Sequence, residues 1–177
     1  KHRVPLNELQ LRYDALSAEC ESLRGKDTEL QILLATQNKT LLQWQQAAKL
    51  LSASRTKAAK TLSNTVCGLM QELGMAGGIF SATLEPLDIG KPTMLGSERV
   101  EFLVSANPGQ PPRPLRKVAS GGELARISLA IEVAALGLDS VPTMIFDEVD
   151  SGIGGAVAEV VGKKLRALGA ERQVMCV

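Results

Sequence analysis

Glycine and proline are nearly excluded from the first 73 residues and crowd the remainder. Two glycines and one proline stand before Gly74, fourteen and seven from there on. Both residues weaken helix interiors, so a long stretch that avoids them is free to stay helical. Across that stretch apolar residues recur at alternating three- and four-residue spacing. They are Leu6, Leu9, Tyr13, Leu16, Cys20, Leu23, Leu30, Leu34, Leu41, Trp44, Ala48, Leu51, Ala58 and Leu62. Counting by heptads puts Asp27, Gln37 and Arg55 on the same seam and shifts register by one residue only near Val66, Leu69 and Leu73. Heptads sustained over this length predict a coiled-coil arm over residues 1–73. As one straight helix it would reach about 100 Å at ~1.5 Å per residue. Gly25 is its weak point, and two helices hinged there are the alternative. The seam requires a partner helix, from another part of the protein or from a second copy.

From Gly78 the period changes to two. Phe80, Ala82 and Leu84 alternate with polar residues, as do Val100, Phe102 and Val104, and a turn-rich segment with Gly90, Pro92 and Gly96 separates them. This predicts an antiparallel pair of strands. The run 107–114 carries four prolines and reads as loop. A helix is predicted from Ser120 to about Leu138, with Ser120 and Glu123 as a capping box and Ile127, Ala130, Ile131 and Ala134 as its apolar face. A buried strand (143–146), a helix (about 155–168) and a second buried strand (173–177) follow. Strand–helix–strand with continuous apolar strands predicts an α/β unit, a parallel βαβ covered on both faces. Residues 78–177 therefore form a second domain.

Several function classes fall away on composition. With His2 as the sole histidine, histidine-based catalysis and most zinc sites are excluded. Cys20, Cys67 and Cys176 are odd in number, far apart and without metal or redox spacing, which fits a reduced intracellular protein. The net charge of +1 makes no overall electrostatic case for nucleic acid. No apolar run approaches a membrane span and no signal peptide opens the chain. The first residue is Lys1 and the last four are apolar, so both ends read as cuts in a larger protein.

Two short motifs carry chemistry. Ser120-Gly121-Gly122-Glu123 combines a hydroxyl, two residues without side chains and a helix N-terminus, where backbone N–H groups and the helix dipole meet an anion. Standing alone, the same tetrapeptide is also what a serine-capped helix with a flexible start looks like. Asp147 and Glu148 follow an apolar strand at its C-terminal end, where α/β sheets place ligands. Neighbouring strand residues point to opposite sides, so the pair divides its tasks: Asp147 suits Mg²⁺ and Glu148 a nucleophilic water. Simple termination of the strand is the competing account. Asp150 adds a third carboxylate in a glycine-rich loop that ends at Gly155.

Joined at about twenty residues' separation, these motifs resemble the signature and Walker B segments of ABC-type ATPases. The wording from Val118 to Ile131 and from Ile145 to Gly155, with 107–110 and 173–177, resembles the RecN family of bacterial double-strand-break repair proteins, relatives of the SMC proteins. So does a coiled-coil arm running into the C-terminal half of a head. The resemblance implies the C-terminal lobe of an ABC-type ATPase head. In it Ser120, Gly121 and Gly122 would contact the γ-phosphate of ATP held by an opposite head, and Glu123 would belong to the same nucleotide-binding segment. Asp147 would serve Mg²⁺, Glu148 the attacking water, and Asp150 the loop between heads. It also implies a homodimer through ATP-bound heads, DNA as partner, and a cytoplasmic, nucleoid-associated protein without a membrane. The N-terminal lobe and first arm of the same protein would complete it. Ala119 and Ala125 depart from that family's usual Leu and Ser.

The chain contains no phosphate-gripping P-loop. Gly25-Lys26, Gly90-Lys91 and Gly162-Lys163 are not followed by Ser or Thr. By itself it is therefore expected neither to bind nor to hydrolyse ATP. An architectural tether is the second reading. Between Glu29 and Glu72 the arm carries Lys39, Lys49, Arg55, Lys57 and Lys60 and no acid, a stretch able to follow DNA or to pair with an acidic helix. A membrane-transporter nucleotide-binding subunit shares both motifs, but the long heptad arm argues against it.

Overall fold

The computed structural model describes residues 5–88, 92–117, 121–136 and 141–177. The sequence-predicted cap Ser120, the turn residue Gly90 and the expected helix end at Leu138 lie outside them. The chain divides into two units, Lys1–Lys49 and Leu50–Val177.

A short 3-10 turn, Leu6–Glu8, leads into helix α1, Leu9–Glu72. The helix runs through Gly25 unbroken, so the alternative of two hinged helices does not apply. In the first unit the seam lies open: Leu9, Tyr13, Leu16, Leu23, Leu30, Leu34 and Leu41 are all exposed, as a coiled-coil strand without its partner must be.

In the second unit the last turns of α1 turn inward. Val66, Met70 and Leu73 are completely buried, and this is where the heptad register slips. The slip rotates the apolar stripe from the seam toward the core of Phe80, Val104, Ile127, Leu129 and Leu168. The helix stops in a Schellman geometry. Met75 N–H donates to Met70 C=O (2.9 Å) and Gly74 N–H to Gln71 C=O (3.3 Å), with Gly74 at φ +81°.

Strands β1 (Ile79–Pro86) and β2 (Glu98–Ser105) pair antiparallel, and the two alternating apolar sets fall directly opposite one another: Phe80 with Val104, Ala82 with Phe102, Leu84 with Val100. Cross-strand pairs of this kind stabilise a sheet, and the rings of Phe80 and Phe102 meet at 5.3 Å. Glu85 faces Arg99, whose guanidinium hydrogen bond at 2.6 Å holds the Glu85 carboxyl below its ordinary range. The loop expected over 107–114 ends in a two-residue strand, β3 (Arg113–Pro114), added to the edge of β2, where Pro114 is tolerated.

The opposite edge, on β1, is closed by α1. Ser63 Oγ accepts the Ala82 N–H (2.9 Å) and Cys67 Sγ accepts the Phe80 N–H (3.2 Å). Ser63 and Cys67 are one helical turn apart and so match alternate N–H groups of one strand.

Helix α2 (Gly121–Ala134), strand β4 (Thr143–Phe146), helix α3 (Gly155–Gly169) and strand β5 (Gln173–Cys176) complete the unit. α2 ends at Ala134, short of the expected Leu138. β4 and β5 pair parallel, as predicted for a βαβ unit. Arg172, just before β5, braces it: the buried guanidinium donates to Glu132 of α2 (3.2 Å) and to Met144 Sδ of β4 (3.4 Å). The expectation of two covered faces fails within this chain. Met144, Phe146 and Val174 join the helical core, whereas Ile145 and Met175, paired on the other face, are 62% and 44% exposed.

Two glycines test opposite halves of this account. Gly25 has open space around a would-be Cβ, so Gly25→Ala raises helix stability by about 1 kcal/mol. At Gly74 a Cβ would meet Val157 at 3.2 Å in a left-handed backbone, and Gly74→Ala lowers stability by roughly 1–2 kcal/mol. Urea unfolding of the two variants measures both signs. Ser63→Ala, which strands the Ala82 N–H, costs about 1 kcal/mol more than Ser→Ala at exposed Ser54 in the same assay.

Candidate functional site

The start of α2 and the segment after β4 meet. β4 delivers Phe146 to the core, and Val149 is buried three residues later (5% and 3% exposed). Between these anchors Asp147 and Glu148 face outward, and Asp150 follows, also exposed. Strand β4 ends at Phe146, but Val177 N–H donates to Phe146 C=O (3.0 Å), so the parallel pairing with the end of the chain carries on to Asp147. A turn then opens at Glu148. Glu148 N–H donates to Val177 C=O (3.2 Å), Ser151 N–H donates to Glu148 C=O (3.0 Å), and Glu148 takes φ +54°. A left-handed backbone at a residue with a side chain costs roughly 1–3 kcal/mol and persists only where surrounding contacts impose it.

Those contacts come from α2. The Glu148 carboxylate lies over Gly121: a Cβ built on Gly121 would stand 2.6 Å from its Oε2. Gly122 is buried under the turn itself, where a Cβ would sit 3.1 Å from Ser151 Cβ and 3.2 Å from the Glu148 carbonyl oxygen. The missing side chains of both glycines let the turn approach the start of α2 this closely. Arg126, one turn further along α2 and 8% exposed, donates from Nη1 to Ser151 C=O at 2.8 Å. A cleft of about 400 Å³ opens beside this junction, lined among others by Gly121, Leu124, Ser128, Glu132, Ile145 and Glu148.

Of the residues predicted from sequence, Gly121, Gly122, Asp147, Glu148 and Asp150 thus gather around one turn, with Glu123 in the first turn of α2. Ser120 lies outside the described residues. Arg126 was not predicted, though one signal was available: it is the only charge in the mostly apolar run from Leu124 to Ile131. No three His, Cys, Asp or Glu side chains cluster as a metal cage among the described residues. One exposed carboxylate is nonetheless what Mg²⁺ needs when water and phosphate oxygens supply its other ligands, so Asp147 fits that ion.

No family model matches the chain. Among curated proteins, DNA repair protein RecN of Xylella fastidiosa is 56% identical over 177 residues, all of this chain and 32% of that protein. The RecN of Vibrio cholerae is 42% identical over the same span and share. An Smc head domain with an extended coiled coil from Pyrococcus furiosus, solved with the C-terminal domain of ScpA, aligns over 97% of this chain and 38% of its own. It does so at 18% identity and a TM-score of 0.47. The chain spans about a third of the length of the curated relatives it matches. It belongs to the RecN family of DNA repair proteins.

Proposed function

We propose that this chain is the signature-and-Walker-B part of an SMC-like, ATP-hydrolysing DNA repair protein. The observation that carries the reading is the junction at Gly121. There the start of α2, suited to an anion, and the acidic turn after β4, suited to water activation, share one place in the fold. Relatives that bear the name DNA repair protein across the whole chain supply the biological setting.

In the complete protein two heads close on ATP. Ser120, Gly121 and Gly122 face the γ-phosphate bound by the opposite head, with Glu123 in the same nucleotide-binding segment, and backbone N–H groups at the start of α2 offset the phosphate charge. Glu148 accepts the proton of the attacking water or orients it. Asp150 lies in the loop that touches the opposite head. Mg²⁺, held through Asp147, would neutralise charge on the phosphates. The triphosphate grip comes from the N-terminal lobe and the arm's partner from the first arm of the same protein. DNA is the macromolecular partner, and the setting is the cytoplasmic nucleoid. Among the described residues no helix is long and apolar enough to cross a membrane.

The test has two arms. Glu148→Gln in the full-length protein lowers ATP turnover on the order of 10²–10⁴-fold and leaves DNA binding intact. The purified 177-residue chain shows no ATPase activity. A rate in that chain abolished by Glu148→Gln overturns the assignment of the nucleotide grip to another lobe. Unchanged turnover in the full-length variant overturns the role of Glu148.

A further inference from the structure

We infer that Arg126 is a positioning residue: it locks the turn from Glu148 to Ser151 against the start of α2 and so fixes the direction of the Glu148 carboxylate. This rests on the role of Glu148 proposed above.

The geometry is specific. Arg126 Nη1 reaches the Ser151 carbonyl oxygen at 2.8 Å, and the N–H of the same Ser151 closes the turn onto the Glu148 carbonyl at 3.0 Å. The guanidinium therefore holds the far end of a turn whose near end is the left-handed Glu148. Gly122 makes room for it: Arg126 Nη1, Ser151 Cβ and the Glu148 carbonyl oxygen all lie within 3.3 Å of where a Gly122 Cβ would stand. Side chain, turn and glycine form one packed unit.

Stability alone does not account for an arginine here. The residue is more than nine-tenths buried, its Nε has no hydrogen-bond partner among the described residues, and no carboxylate lies within ion-pair distance there. A buried charge so sparsely partnered is weak evidence for stability; an apolar side chain of similar length packs such a place at lower cost. What an apolar side chain cannot do is hold a carbonyl oxygen in a fixed direction. A lysine offers a single ammonium on a flexible stem, and the planar fork of arginine is better ordered in advance. Arg126 also belongs to the helix whose first turn carries Gly121 and Gly122. A displacement of that helix start is thereby passed to the turn bearing Glu148.

The experiment uses the full-length protein with Arg126→Gln, Arg126→Lys and Glu148→Gln, singly, and with Arg126→Gln combined with Glu148→Gln. Amide hydrogen exchange reads the lock directly. In Arg126→Gln the peptide covering residues 147–153 exchanges at least tenfold faster, while peptides from β1 and β2 are unchanged; Arg126→Lys is intermediate. Steady-state ATP hydrolysis reads the consequence. Arg126→Gln lowers kcat at least tenfold with KM within twofold, and adds less than twofold to the loss already caused by Glu148→Gln, since residues that act through one another are not additive. Unchanged exchange at 147–153 in both Arg126 variants overturns the lock. An equal kcat loss with and without the Glu148 carboxylate overturns its action through Glu148. If Arg126→Gln fails to fold, Arg126→Lys is judged by the same two criteria. If Glu148→Gln leaves hydrolysis untouched, the functional reading of Glu148 has failed, and exchange still decides the lock.

Discussion

Helix α1 closes the edge of the antiparallel sheet, and the second unit is built around that closure. An outer strand presents unpaired N–H and C=O groups that invite another chain. Here Ser63 and Cys67 take the place of a neighbouring strand, while the same turns bury Val66, Met70 and Leu73. The two requirements fix each other. Sliding the helix by one residue, ~1.5 Å, would pull both side chains off their amides, and rotating it would bring polar positions into the core. Gly74 then reverses the chain at once, so β1 starts beside the helix that has to cover it.

Much of this could be read from the sequence because it rests on period. The heptads located the long helix, and their slip near Val66 coincides with the exchange of an open seam for a buried core. Alternation in 80–84 and 100–104 placed the two strands, and the structure adds that the alternating sets are opposite in register. Strand 143–146 was delimited to the residue. The edge closure by Ser63 and Cys67 was not legible, since a serine and a cysteine on a helix announce no partner until the fold supplies one. The exposed Ile145 and Met175 were misjudged for a related reason. An apolar strand says that both faces are suited to burial, not that this chain holds both covers.

At the site, residues singled out in the sequence gather around one turn whose geometry the sequence does not announce. The ladder still reaches Asp147, but it ends at Glu148, where the backbone turns left-handed. Beyond Phe146, hydrogen bonds to Val177 and from Ser151 decide where Glu148 points, and those partners are remote or belong to the backbone. The glycine pair was read as room for a ligand. Within this chain the room at Gly122 is filled by the turn itself. Both uses draw on one property, the missing side chain, and sequence alone cannot tell which neighbour will exploit it.

Several unfavourable terms of the second unit gather in one small place. A left-handed glutamate, an arginine buried with an unpartnered Nε, and two glycines in the first turn of a helix each work against stability. Elsewhere most local preferences and packing agree: Gly74 sits where φ must be positive, Pro114 on an edge, apolar pairs across the hairpin. Buried Arg172, whose Nε also has no partner among the described residues, is the exception, and it is ion-paired with Glu132. When such conflicts converge on the residues that meet at one turn, chance is a poor account of them. Each conflict also has the same geometric effect, since all of them bring the Glu148–Ser151 turn down onto α2 and hold it there. The costs are those of fixing one carboxylate over one helix start.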